Sequence, residues 1–338
     1  MNERDRCSGC LAGQAIGDAM GLPFENLSPR RIAKLGRFDR PQFFFGFGAG
    51  SDDTEHAGMT ADAVRYSQGD LAKFEKRLAS SLRRWFLAGP PGIGLATLQA
   101  CLKLCLGFGP KRSGVHSAGN GPAMRAAIIG VLVPEERLGD FVRVSTRITH
   151  TDPMAEAGSL LVAQLASCSA TIDTDSGAEW IRERIAGLEG QKKLEPLASR
   201  LKEAAVVLAD GGGVEDCANR IAAGRGVGGF IAETVPVAIV AFFRHADDYA
   251  TGIERTVRCG GDTDTVAAIA GALIGSRVGI DGIPQIWRER YRDWPWSIER
   301  LISMNRPPLW LWPVLVVRNL GFFAVVLGHI LRRLLPPW

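Results

Sequence analysis

The stretch GGDTDTVAAIAGALIGSRVG, residues 260–279, carries two messages at once. Its second part is apolar or small at nearly every position, which suits a helix that approaches its neighbours closely. Its first part sets Asp262, Thr263, Asp264 and Thr265 behind two glycines, a run of hard oxygen donors free of Cys and His. Such donors suit magnesium, manganese or calcium. Residues two apart on a helix point to nearly opposite sides, so Asp262 and Asp264 converge on one ion only if this segment is a loop. Gly260 and Gly261 supply the irregular backbone a loop needs.

A second cluster of the same kind, Ser51-Asp52-Asp53-Thr54, stands near the other end of the chain. Ser, Thr and Asp ahead of apolar helices are preferred N-caps, and both clusters precede such helices. Capping one helix, however, does not require three oxygen-bearing residues in a row. Together the four carboxylates and two hydroxyls have the composition of a two-metal site.

Around these clusters the apolar periodicity is helical almost everywhere. Leu71, Phe74, Leu78, Leu82 and Trp85, with Lys73, Glu75, Lys76, Arg83 and Arg84 between them, describe an amphipathic helix. Similar patterns cover 94–106, 121–132, 135–148, 154–168, 178–188, 196–208, 233–244, 247–258 and 264–278, and alternating strand-like runs are nearly absent. An all-α, compact multi-helix domain is therefore expected over residues 1–300. Segments 46–53, 107–122, 149–153 and 259–264, rich in Gly, Ser, Thr and Asp, read as loops carrying function on that scaffold.

Composition narrows the function. The 338 residues are 46% hydrophobic and 22% charged, and 40 Lys+Arg against 36 Asp+Glu leave a net charge of only +4, an ordinary globular balance. No long basic run and no alternation of basic and aromatic residues is present, which argues against nucleic acid as a partner. Seven cysteines, several within apolar helical patterns such as Cys101 and Cys105, read as reduced packing residues, the Cys7-x-x-Cys10 pair included. With no apolar signal-like run after the start MNERDRC, a cytoplasmic protein is expected.

Taken in order, GCLAGQAIGDAMGLPFE at 9–25, SDDT at 51–54, GNGPAMRAAIIG at 119–130, THTDP at 149–153 and GGDTDTVAAIAGALIGSRVG at 260–279 resemble the ADP-ribosylglycohydrolase family. The resemblance covers about residues 9–282, and its last motif is the most specific. It implies an all-α bundle, two Mg2+ ions (Mn2+ as the alternative), and metal ligands at Ser51, Asp52, Asp53, Asp262, Asp264 and Thr265. Ser51 stands where Thr is more usual and keeps the hydroxyl. Glu25, Asp53 and Asp264 are the implied catalytic carboxylates, and Gly119, Asn120, Gly121, Met124, His150 and Asp152 the implied substrate-binding residues. Asp18, inside an otherwise apolar helix, reads as a structural hydrogen-bonding residue. The glycine-rich run Gly107–Asn120, with Lys111, Arg112, Ser113 and Ser117, offers backbone N–H groups to a pyrophosphate.

The activity implied is removal of ADP-ribose from a modified protein side chain, arginine first, by metal-assisted attack of water on the ribose anomeric carbon. Expected partners are the ADP-ribosylated protein and ADP-ribose itself. The alternative is a non-catalytic ADP-ribose-binding, regulatory or immunity protein acting against an ADP-ribosyltransferase.

Residues 301–338 depart from this pattern. Leu309–Leu331 is a nearly continuous apolar run, interrupted by Pro313, Arg318, Asn319 and Gly321. Its length permits a membrane span, but a central Arg costs about 2.5–3.5 kcal/mol on insertion scales. An apolar helical tail lying on a membrane surface, or packed on the domain or a partner, meets no such cost.

Overall fold

The computed structural model describes residues 2–333; the end of the expected tail segment, 334–338, lies outside the described residues. No strand occurs among the described residues, and the longer helices are α1 (Glu3–Gly21), α2 (Asp52–Ser67), α3 (Leu71–Leu87), α4 (Leu95–Cys105), α5 (Leu138–Arg147), α6 (Pro153–Cys168), α7 (Gly177–Ala186), α8 (Glu195–Ala209), α9 (Val214–Ala222), α10 (Ile231–His245), α11 (Tyr249–Arg258), α12 (Thr263–Val278) and α13 (Trp312–Arg333). Helices α3, α4, α6–α8 and α10–α12 lie within about two residues of the expected ranges, the ordinary scatter of helix ends, whereas α9 and the bounds of α1 and α2 have no counterpart among those ranges. Two expected helices are divided. Residues 121–132 form a short 3-10 turn, Ala123–Arg125, followed by the helix Ala127–Leu132. In 135–148 the 3-10 turn Glu135–Arg137 follows Pro134, whose fixed φ and missing N–H suit the entry to a turn.

The centre of the molecule is the antiparallel pair α1 and α12. Cys7–Gly21 of α1 and Thr263–Ser276 of α12 are buried without interruption, as expected of helices that are apolar all round. Contact is made through a ladder of glycines. A Cβ on Gly9 would lie 2.1 Å from the Gly275 carbonyl oxygen, on Gly13 2.2 Å from that of Gly271, on Gly17 2.1 Å from that of Ala267, and on Gly21 2.3 Å from that of Thr263. Any side chain at these steps would force the helices apart. The close approach sets the N-terminus of α12, which begins the acidic cluster, beside the C-terminus of α1.

Two further devices complete the core of the site. Asp18 of α1 accepts from the Ser51 N–H at 2.7 Å and the Thr54 N–H at 3.1 Å, fixing the start of α2 against α1. Arg125, fully buried, donates to Ser145 Oγ, the Ser145 carbonyl and Thr149 Oγ1 and contacts His56 Nδ1, all within 3.0 Å, which draws α2, α5 and the 149–150 segment together. Burial lowers the Arg125 pKa to about 10, so it remains a cation.

Cys7, Cys10 and Cys101 are buried and free, in keeping with a packing role, whereas Cys105 is exposed on the outer face of α4. The tail helix α13 is held by its polar residues: Asn319 Nδ2 donates to the Ala88 carbonyl at 2.8 Å and His329 Nε2 meets the Phe43 carbonyl at 2.7 Å. Its apolar residues Val317, Leu320, Phe323 and Leu327 are exposed.

The ladder yields a direct test. Gly17→Ala should destabilise the fold by about 2–3 kcal/mol in urea unfolding, because the added methyl overpacks a backbone contact that cannot yield. A wild-type midpoint would mean that the two helices separate freely.

Candidate active site

Glu25 follows the 3-10 turn Leu22–Phe24 at the end of α1. Beside it, three backbone segments are clamped edge to edge. Asn26 N–H donates to the Gly261 carbonyl at 2.7 Å, Gly261 N–H to that of Leu27 at 2.9 Å, Val227 N–H to that of Gly260 at 2.9 Å and Asp262 N–H to that of Val227 at 2.7 Å. Gly260 and Gly261 have φ of +69° and +85°, which a side chain would resist, and a Cβ on Gly261 would strike the Val227 carbonyl oxygen at 2.1 Å. The clamp brings Glu25 and Asp262 to one cleft.

The segment carrying Asp262 and Asp264 is only half a loop, which corrects the sequence expectation. Asp262 is the N-cap of α12 with non-helical φ −80° and ψ 63°, and Asp264 already belongs to the first turn. Convergence needs just one of the two outside the helix. Asp262 makes no side-chain capping bond; its Oδ2 accepts from Asn120 Nδ2 at 2.6 Å instead. The capping explanation therefore fails for Asp262. It holds for Ser51, whose Oγ accepts from Asp53 N–H at 3.2 Å, and for Asp152, whose Oδ1 accepts from Met154 N–H at 2.8 Å.

Carboxylate oxygens of Asp18, Asp53 and Asp264 lie within 4.8 Å of one another, and all three residues are buried. Asp53 Oδ2 accepts from Thr265 Oγ1 at 3.1 Å. Among the described residues, Asp18 Oδ1, Asp53 Oδ1 and Asp264 Oδ1 are buried with no hydrogen-bond partner. Burial, reinforced by the neighbouring carboxylates, pushes the Asp53 and Asp264 pKa values well up. Burial raises Asp18 to about 7, opposed by its bonds from Thr54 and Ser51. The structural role expected of Asp18 is borne by its Oδ2, while the residue also joins the acidic cluster and its Oδ1 has no partner. Orphaned oxygens from three helices, all hard donors, fit a divalent cation and are costly without one.

Beside the cluster opens a cleft of about 590 Å3, lined by Glu25, Asp52, Asp262, Asp264 and Thr265 on one side and by Gly119, Asn120, Gly121, Met124 and His150 on another. Ser51 and Asp53 sit behind this wall. Asp152 is not among the lining residues: besides capping α6 it faces His116 Nε2 at 3.4 Å. His150 is buried, its Nδ1 is 2.9 Å from Thr149 Oγ1, and desolvation together with Arg125 lowers its pKa to about 3. At neutral pH it is an uncharged hydrogen-bonding ring, unsuited to donating a proton to a leaving group.

The sequence reading missed the Arg225–Gly229 segment, which forms a further wall of the cleft. Arg225 pairs with Glu233 Oε1, and Glu233 Oε2 accepts from Gly228 N–H at 2.9 Å. The run Gly224-Arg225-Gly226-Val227-Gly228-Gly229 is the signal in the sequence, a short glycine-rich stretch without an acidic cluster. Of the earlier glycine-rich run, Ser117, Gly119 and Asn120 line the cleft, but Lys111 and Arg112 do not. Arg225 is the one Lys or Arg among the described lining residues.

Comparison with known proteins agrees with this geometry. The signature of the ADP-ribosylglycohydrolase family matches residues 1–312. An uncharacterized protein of Archaeoglobus fulgidus is 30% identical over 293 residues, 84% of this chain and 90% of its own length. The human ADP-ribosylhydrolase ARH3 is 29% identical over 84% of this chain and 88% of its own, and the ADP-ribosylarginine hydrolase Tri1 of Pseudomonas putida is 26% identical over 88% and 76%. A solved ADP-ribosylglycohydrolase-related protein complex has the same fold, with a TM-score of 0.58 at 22% identity over 96% of this chain and 98% of that one. From the shared signature and the carboxylates gathered at the cleft, the chain belongs to the ADP-ribosylglycohydrolase family and is a hydrolase of glycosidic bonds.

Proposed function

We propose that the protein releases ADP-ribose from modified arginine side chains, with two Mg2+ ions held by Ser51, Asp52, Asp53, Asp262, Asp264 and Thr265, and Asp18 adding its free Oδ1. The observation that carries the metal reading is the set of three buried, unpartnered carboxylate oxygens beside the cleft. Bound divalent cations supply positive charge to polarise ribose hydroxyls and lower the pKa of water. Mn2+ would satisfy the same oxygen donors.

The chain's own residues take the remaining tasks. Arg225 and the backbone N–H groups of Gly226 and Gly229 serve the diphosphate, since a guanidinium and backbone amides suit phosphate oxygens. Met124 and the glycines at 119 and 121 leave room for the sugar, and the neutral His150 offers one hydrogen bond. Glu25, at the cleft edge, orients water or shares a proton with the departing side chain, with Asp53 and Asp264 holding the charge of the oxocarbenium-like transition state. The arginine preference rests on likeness to the arginine hydrolase of P. putida. Peptides carrying ADP-ribose on arginine should be hydrolysed faster than serine-linked ones; the reverse order would reassign the acceptor.

Two variants separate chemistry from binding. Asp264→Asn should reduce turnover by more than about 100-fold with an unchanged far-UV CD spectrum. Arg225→Ala should raise KM by about 10-fold while kcat stays nearly constant. Full activity in Asp264→Asn defeats the assignment.

The pH dependence follows from Asp18. Its folded pKa of about 7 exceeds the ordinary 3.8, so its contribution to stability is complete below about pH 3.8 and is lost as pH rises through 7. The EDTA-treated protein should therefore melt at lower temperature as pH rises from 4 to 7, and Mg2+ should restore most of the loss at pH 7. A metal-insensitive melting temperature at pH 7 counts against the ion site.

We propose further that α13 rests on the cytoplasmic membrane surface. Residues 309–329 have a mean hydropathy of 1.8 with 17% of the most apolar window buried, and residues 301–338 contain no Asp or Glu to repel anionic lipid. Intact protein should float with vesicles containing phosphatidylglycerol, and Val317→Asp with Leu320→Asp should abolish flotation. Concentration-dependent self-association without lipid binding would instead give this face to a second copy.

A further inference from the structure

The tail helix reaches the catalytic end of the molecule through one side chain. Arg318 inserts from α13 between two buried carboxylates. Its Nε donates to Asp293 Oδ1 at 3.0 Å, one terminal nitrogen donates to Glu55 Oε1 at 3.0 Å, and the other donates to Asp293 Oδ2 and to the Gly50 carbonyl, the latter at 2.8 Å. The side chains of Glu55 and Asp293 are each 2% exposed. Asp293 Oδ2 in turn accepts from Gly50 N–H at 3.2 Å, so both polar groups of Gly50 are tied to the Arg318–Asp293 pair. Glu55 Oε2 accepts from Trp85 Nε1, which locks that carboxylate against α3.

Gly50 immediately precedes Ser51-Asp52-Asp53, and its surroundings are full: a Cβ there would meet Thr54 Oγ1 at 2.6 Å and the Tyr291 hydroxyl at 2.7 Å. On the other flank, Asp18 accepts the Ser51 and Thr54 N–H groups. The start of α2 is therefore held from two sides, by Asp18 of α1 and by Arg318 of α13. We infer that Arg318 is a positioning residue for the Ser51–Asp53 ligand segment, so that the docked tail helix sets the affinity of the site for a divalent cation. This rests on the metal reading proposed above.

Two physical effects of Arg318 have opposite signs, which makes the inference testable. As a nearby positive charge it disfavours a divalent cation, so a purely electrostatic role predicts tighter binding when it is removed. As a three-way fork that fixes Gly50, it favours the cation by keeping the ligands in place, and losing such outer supports typically weakens metal affinity by about 10- to 100-fold. Lysine retains the charge but presents no planar fork and cannot reproduce the paired bonds to Asp293.

The experiment is a Mn2+ titration by calorimetry on full-length wild type, Arg318→Lys and Arg318→Met, with thermal melts as a check on folding. Positioning predicts that Mn2+ affinity falls by about 10-fold or more in Arg318→Met and by an intermediate factor in Arg318→Lys, with kcat at saturating Mn2+ changed less than the affinity. Wild-type or tighter Mn2+ binding in both variants overturns the inference while leaving the metal reading standing. A wild-type protein that takes up no Mn2+ removes the metal reading, and the inference with it. Should Arg318→Met fail to fold because Glu55 and Asp293 lose their cation, Arg318→Lys, which keeps that charge, decides the outcome.

Discussion

The close approach of α1 and α12 is the constraint on which the rest of the structure depends. Four glycines on one helix face backbone carbonyls on the other at separations that no Cβ tolerates, so each helix serves as the other's packing surface. Packing between such smooth surfaces supplies dispersion contacts along the full length of both helices, with no side chain to set an alternative register at a greater distance. The same contact fixes where the two ends fall. Gly21 abuts Thr263, and the residues on either side of this junction, Asp18 and Glu25 on one chain segment and Asp262 and Asp264 on the other, become neighbours as a consequence.

Placing so many carboxylates together is unfavourable in the protein alone. Asp18, Asp53 and Asp264 are desolvated, repel one another and retain oxygens without donors. The surrounding structure tolerates this because the cluster is held by rigid parts: two helix N-termini, the backbone clamp at 26–27, 227 and 260–262, and Arg125 bracing the wall that carries Gly121 and Thr149. Helix N-termini also present positive dipole ends to the acids, which eases the repulsion without removing it. A site strained in this way is poised to take up positive charge.

The tail helix shows a similar economy. A buried Arg between two buried acids is poor evidence of net stability, since desolvating three charges offsets most of their attraction. It is good evidence of specific placement, because an incorrect register of α13 leaves Glu55 and Asp293 buried without a cation. The apolar face left exposed on the same helix then has a defined orientation relative to the cleft.

Periodicity, composition and motif spacing by themselves determined that the chain is all-helical, where most of the longer helices lie, and that two oxygen-rich clusters introduce helices α2 and α12; these are local properties, written in residues three or four apart. Tertiary structure alone decided which acids meet. Asp18 looked like a lone polar residue in an apolar helix until α2 was laid against it, and Asp152, placed with the substrate residues by its motif, caps α6 and stays out of the cleft lining. The Arg225–Gly229 wall and the reach of Arg318 to Gly50 were equally invisible, because a hydrogen bond between residues 268 positions apart leaves no periodic trace in the sequence. Local pattern records what a residue must bury; only the packing of one helix on another records what it will touch.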